Sequence, residues 1–396
     1  MKLRTPRGVK DFLPNDARWK YELEQKIHSV FACWSYQEVI TPTFEFYDVL
    51  KQGDASADQT YRFFGHNGEL LALRSDLTTP IARMVATRLK DQPKPLRLAY
   101  LANVFRHNDV QVGFQREFYQ AGVELMGSGS PAADAEAIAL AVTLFNELGV
   151  KDFKLDIGQI QYFRGIVEDC TCNFIKQRIW QLLLKKDFVG YETLIKQADI
   201  DYGTKELLLD LPNFQGKSEI LDQAYQSTEN LHARAAVKNL QEIYSLLQGY
   251  GIADQVNIDL SMVKSLEYYT GMVIEGYVPS LGFTLCSGGR YDNLSSQFGS
   301  QQPAVGFALG LERLMLVLEQ QGLKPKVKQE GMLILPYSWS RAVKYAADQR
   351  AKGIRVEVDI QGLTRAQAEE YARDKHFAAV VIIEDSTMEM LEVQQD

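Results

Sequence analysis

RLAYLANVFRHNDVQVGFQREFYQAGVELM, residues 97–126, decides the reading of the fold. Two apolar-rich runs, 97–105 and 116–126, flank a polar segment, 107–115, that carries Gly113. That pattern predicts a long β-hairpin with an extended loop. Strand side chains alternate, so Gln120, Gly122 and Glu124 share one face. An amide and a carboxylate on one face suit an amine or imidazole ligand. Arg106, at the end of the first strand, offers a planar fork to a carboxylate or phosphate. Spacing alone leaves open a polar face turned to solvent.

Outward from the hairpin, an amphipathic helix through Tyr21, Leu23, Ile27, Val30 and Phe31 follows Pro14. A short strand is expected at 38–40, then Thr41-Pro42-Thr43 and a helix over 44–50. Residues 62–64 and 70–73, around His66-Asn67-Gly68, read as a second hairpin. A helix over 78–89 begins beside Asp76, Thr78 and Thr79, which can cap it or face a ligand. A strong helix covers 132–148. Residues 162–250 read as almost wholly helical, an insertion. Strand signals return at 256–258, 272–278 and 283–286. Glu267, Tyr268 and Tyr269 precede one of these strands, and paired tyrosines serve as packing aromatics or as a pocket wall. Ser287-Gly288-Gly289-Arg290-Tyr291-Asp292 reads as a turn that lets backbone approach a ligand. A helix over 306–318 is entered through glycines and carries Arg313. The charged segment 324–330 reads as a linker. Residues 331–396 then alternate as βαβαβ, a small α/β layer with parallel strands.

Length and composition agree. The 396 residues suit two or three domains. With 46% hydrophobic and 24% charged residues, the chain as a whole is neither disordered nor fibrous. The longest apolar run, 377–383, is far shorter than a membrane span. No apolar secretory segment opens the N-terminus. The net charge of -8 gives no global attraction to nucleic acid. Cys33, Cys170, Cys172 and Cys286 form no CxxC pair and suit a reducing, cytoplasmic setting. The five histidines show no metal-ligand spacing, so no metal and no cofactor is expected.

Taken together, the motifs resemble histidyl-tRNA synthetase, a class II aminoacyl-tRNA synthetase, from Arg7-Gly8 to about Glu384. Arg7-Gly8-Val9-Lys10-Asp11-Phe12-Leu13-Pro14 resembles its N-terminal signature, and Pro42 the dimer-forming motif 1. Phe105-Arg106 through Glu124 resembles motif 2; residues 304–314 resemble motif 3. Residues 266–271 and 287–292 resemble two signatures peculiar to the histidine enzyme. The implied fold class is α+β: an antiparallel class II core over 1–323 with flanking helices and the helical insertion at about 162–250. A linker at 324–330 and a truncated anticodon-binding-like α/β domain at 331–396 follow. The resemblance implies a histidine pocket of Asp76, Thr78, Arg106, Gln120, Glu124, Tyr268 and Tyr269. Arg116 and Arg313 remain for residual nucleotide binding.

Three positions depart from the synthetase pattern. Lys264 stands for an arginine that helps activate the histidine carboxylate, and lysine lacks the planar fork. Asn108 stands for the glutamate that reads adenine, and Phe114 for a loop arginine. Losing such transition-state partners costs about 100-fold or more in rate. These departures resemble those of the regulatory subunits of ATP phosphoribosyltransferase, synthetase paralogues without catalytic residues of their own. That resemblance implies a histidine-binding homodimer within a hetero-octamer with the short catalytic subunit, in histidine biosynthesis, and no tRNA or membrane partner. The alternative is an active histidyl-tRNA synthetase.

Overall fold

Trp19, Leu23, Ile27 and Phe31 recur every four residues, so the helix Pro14–Cys33 carries one apolar stripe. That stripe is buried, and Phe31 meets Phe307 of the main sheet edge to face, 6.4 Å between ring centroids. These elements come from a computed structural model that describes residues 3–52, 59–107, 115–168, 173–264 and 268–394. Asn108, Phe114, Cys170, Cys172 and Ser265 to Glu267 fall outside the described residues.

Among the described residues the main sheet has nine strands. In order across it they are Gln37–Glu38, Leu96–Phe105, Glu117–Met126, Ala304–Gly310, Thr284–Arg290, Met272–Tyr277, Lys154–Gln159, Val256–Asp259 and Gln215–Gly216. The quoted hairpin is there, its arms paired antiparallel from Leu96 opposite Met126 to Phe105 opposite Glu117. Two pairings are parallel, Gln37–Glu38 with Leu96–Phe105 and Lys154–Gln159 with Val256–Asp259. The sheet is therefore mixed, though mostly antiparallel. The helix Pro131–Glu147 is buried along nearly its whole length, and its many alanines let neighbouring backbones come close.

Several local expectations are corrected. The glycine stretch 287–292 is not a turn: Ser287 to Arg290 lie in a strand. Gly306 to Gly310 belong to a strand, and the helix after them is Leu311–Gln320. Glycine in a strand marks a close approach. A Cβ at Gly288 would overlap the Gly306 carbonyl of the neighbouring strand. Phe44–Phe46 is a strand, followed by the helix Tyr47–Lys51. Lys154–Gln159 is a strand that the local pattern does not reveal, because its Leu-Asp-Ile-Gly-Gln run is short and broken by glycine.

Residues Pro325–Asp396 form a second compact unit. Its sheet runs Val356–Val358, Met332–Pro336, Ala379–Ile383, Met388–Glu392. The first three strands are parallel, as expected. The fourth is antiparallel and extends the βαβαβ reading by one strand. Leu333, Phe377 and Val380 pack on one face of this sheet; Ile334, Ala342, Ala346 and Val381 pack on the other. No described helix is long and apolar enough to cross a membrane.

Candidate functional site

Glu124 lies inside the sheet and is 2% exposed. Its neighbours make room for it. Gly306 is its cross-strand partner, and a Cβ there would overlap Glu124 Oε2. Gly122 lies opposite Tyr100 on one side and Ala308 on the other. Gly306, Ala308 and Gly288 line the floor of a cavity of about 590 Å³.

Both oxygens of Glu124 accept hydroxyl hydrogens. Thr78 Oγ1 donates to Oε1 at 2.7 Å, from the first residue of the helix Thr78–Arg88, and the Tyr291 hydroxyl donates to Oε2. Burial pushes the Glu124 carboxyl up to about 8, and the nearby Asp76 adds to the rise. The bonds from Tyr291 and Thr78 work in the opposite direction and do not cancel it.

Three tyrosines build the wall above Glu124. Tyr268 stacks on Tyr291, 5.4 Å between centroids, and Tyr269 meets Tyr268 edge-on at 4.8 Å. Burial raises the hydroxyl pKa of all three, so they stay neutral. Tyr291 is fixed from behind by Arg290, whose guanidinium binds buried Asp134 at 2.9 Å and Asp292 at 3.1 Å.

Asp76, Thr78, Arg106, Gln120, Glu124, Tyr268 and Tyr269 all line this one cavity. Asp76 meets both readings of it, since its Oδ1 also accepts the Thr79 N–H at 3.2 Å, as a cap does. Gln120 Oε1 is buried and accepts no hydrogen bond from any described residue. Arg106 donates to the Ser75 carbonyl at 2.8 Å and lies 5.4 Å from the Phe118 ring. Arg313 also lines the cavity and donates to the Thr284 carbonyl at 2.7 Å. Burial, and then Arg106, lower its pKa. Arg116 is not among the lining residues; its stem packs against Gly8, and its N–H reaches the Gly8 carbonyl at 2.6 Å.

The wall segment between Val256–Asp259 and Met272–Tyr277 hangs from the helical insertion and the helix leading into it. Trp180 Nε1 donates to the Lys264 carbonyl at 3.0 Å, Gln161 Nε2 to the Thr270 carbonyl at 2.8 Å, and Arg164 to the Tyr269 carbonyl at 3.4 Å. Lys264 lines the cavity and pairs with Glu275 at 3.3 Å.

Sequence reasoning missed Tyr100, Ser287, Tyr291 and Glu312 as lining residues. Tyr291 entered only within the stretch 287–292, as part of a glycine turn and of a histidine-enzyme signature, and was not assigned to the pocket; it directly follows the strand Thr284–Arg290. Glu312 accepts the Tyr119 N–H on both oxygens at 3.0 Å, a contact across 193 residues that no local pattern reveals. Among the described residues no His, Cys, Asp and Glu group could hold a metal ion. Chemically, the cavity lining offers an acid, hydroxyls, an open amide acceptor and guanidinium groups. That set suits a small zwitterion with a hydrogen-bonding side chain.

The comparisons with known proteins follow the same lines. A profile of the histidyl-tRNA synthetase family matches residues 8–314. The ATP phosphoribosyltransferase regulatory subunit of Acetivibrio thermocellus is 38% identical over 395 residues, spanning 98% of this chain and 94% of the relative. That of Moorella thermoacetica is 39% identical over 369 residues, 92% of this chain and 94% of the relative. A Bacillus halodurans structure described as an ATP phosphoribosyltransferase regulatory subunit/histidyl-tRNA synthetase superposes with a TM-score of 0.87 at 30% identity. It covers 98% of this chain and 100% of its own. A Nostoc histidyl-tRNA synthetase shares the fold, with a TM-score of 0.83 at 22% identity over 99% of this chain and 97% of its own. The chain therefore belongs to the ATP phosphoribosyltransferase regulatory subunit family, built on the histidyl-tRNA synthetase fold.

Proposed function

We propose that this chain binds histidine in the Glu124 cavity and acts, in the cytoplasm, as the regulatory subunit of a hetero-octameric ATP phosphoribosyltransferase. It activates the short catalytic subunit and transmits feedback inhibition by histidine. The observation that carries the reading is the buried Glu124, held by Thr78 and Tyr291 beneath Tyr268, with the Gln120 acceptor open beside it. An imidazole or ammonium N–H satisfies these acceptors, and Arg106 meets the ligand carboxylate. Histidine inhibits by preferring one of two forms of the complex.

Reconstitution tests this. Phosphoribosyl-ATP formation by the short catalytic subunit is expected to rise when this chain is added and to fall when histidine is titrated in. No stimulation at any ratio would sink the regulatory reading. The synthetase alternative predicts histidine-dependent ATP–pyrophosphate exchange and charging of tRNA. Neither is expected, because Lys264, which replaces the activating arginine, is paired with Glu275.

A homodimer is part of the proposal, and an exposed face supports it. In the three-stranded sheet of Phe44–Phe46, Leu70–Leu73 and Arg62–Phe64, register puts Phe46, Leu71 and Phe63 side by side, with Phe44 on the same face. Phe44 and Phe46 are about half exposed and Phe63 40% exposed. Such a patch, just after Pro42 of the motif 1-like stretch, suits a second copy of the chain. Phe46→Glu combined with Phe63→Glu is expected to turn a dimer into a monomer by light scattering. A dimer of unchanged mass would place the interface elsewhere.

A further inference from the structure

The reading of the cavity as a histidine pocket leaves one of its cations unexplained. Lys264 lines the cavity, yet its Nζ is 3.3 Å from Glu275 Oε2. Glu275 points from the strand Met272–Tyr277, and Thr284 Oγ1 donates to its other oxygen at 2.5 Å. Both ion-pair side chains are mostly buried, 19% and 17% exposed, so water screens them only in part. Burial alone would raise the Glu275 carboxyl; Lys264 and Thr284 outweigh it and hold it below the usual range, ionised. Arg106 and Arg313 also border the cavity.

We infer that Glu275 is an affinity-setting residue: it holds the Lys264 ammonium away from the ligand carboxylate and so keeps histidine binding weaker than the cavity otherwise allows. This rests on the histidine reading above. For a feedback sensor the arrangement makes sense, because a pocket saturated at every histidine concentration reports nothing.

The test is a double-mutant cycle on the full chain, read by titration calorimetry with two probes, histidine and histamine, which lacks the carboxylate. Glu275→Gln keeps the side-chain shape and an acceptor for Thr284. It is expected to tighten histidine about tenfold and to leave histamine within about twofold. Lys264→Met is expected to change histidine affinity less than about twofold in the unaltered background and to remove the whole gain in the Glu275→Gln background. Unchanged or weaker histidine binding by Glu275→Gln, with a normal thermal midpoint, would overturn the inference, as would an equal gain for histamine. Failure of the unaltered chain to bind either probe would instead overturn the histidine reading itself, and the inference with it.

Discussion

Glu124→Gln is expected to weaken histidine binding by about 100-fold or more and, at the same time, to raise the thermal midpoint of the empty chain. The first effect follows from the chemistry of the acceptor. Removing one partner of a desolvated, charge-assisted hydrogen bond costs about 2–5 kcal/mol. The second follows from linkage. The folded carboxyl is pushed up to about 8, mainly by burial. Below the ordinary carboxyl range both folded and unfolded chains hold the proton, and burial costs nothing extra. As pH rises toward 8 the unfolded chain loses its proton first, so folded stability falls; above 8 the full penalty of a buried charge applies. Glutamine never ionises, so its advantage should grow between about pH 5 and 8 and then level off. The same sign governs the ligand. A bound cation favours the carboxylate, so histidine near pH 7 should expel a proton from Glu124, and affinity should rise with pH up to about 8. Calorimetry in two buffers of different ionisation enthalpy reads the proton directly. Uptake rather than release would remove Glu124 from the binding site.

Gly306→Ala is the second large effect. A Cβ at Gly306 would overlap both Glu124 Oε2 and the Val123 carbonyl of the adjoining strand. A side chain can rotate away, but the backbone carbonyl cannot, so the strands must separate. Overpacking of this kind costs about 1–3 kcal/mol or more. Loss of histidine binding and a thermal midpoint lower by several degrees are expected together. Gly310→Ala is the control for stability, since its nearest new contact, Arg313 Cδ, lies at an ordinary 3.6 Å. A Gly306→Ala chain with an unchanged midpoint would show that the cavity floor yields more easily than this packing implies.

The hairpin, the helical insertion and the C-terminal α/β layer were legible because their signals are local. Alternation over 116–126 set Gln120 and Glu124 on one face before any partner strand was known, and both line the cavity. The glycine-rich strands were not legible in the same way. Gly288 and Gly289 read as turn residues and Gly306 as a helix entry, because a glycine's local preference says nothing about the neighbour that excludes a side chain. That neighbour is another strand, and its register is a long-range fact. Tyr291 and Glu312 were missed for the same reason, each acting on a residue more than 160 positions away. Arg116, which the resemblance left for nucleotide binding, packs its stem against Gly8.

The wall segment of the cavity is suspended by its carbonyl oxygens, at Lys264, Tyr269 and Thr270. Every amino acid carries that carbonyl. Substitution at Lys264 or Tyr269 therefore changes what faces the cavity and leaves the attachment to Trp180 and Arg164 in place. Either an arginine or a lysine at position 264 leaves that backbone attachment unchanged. Mounting by backbone separates the inheritance of shape from the inheritance of reactivity.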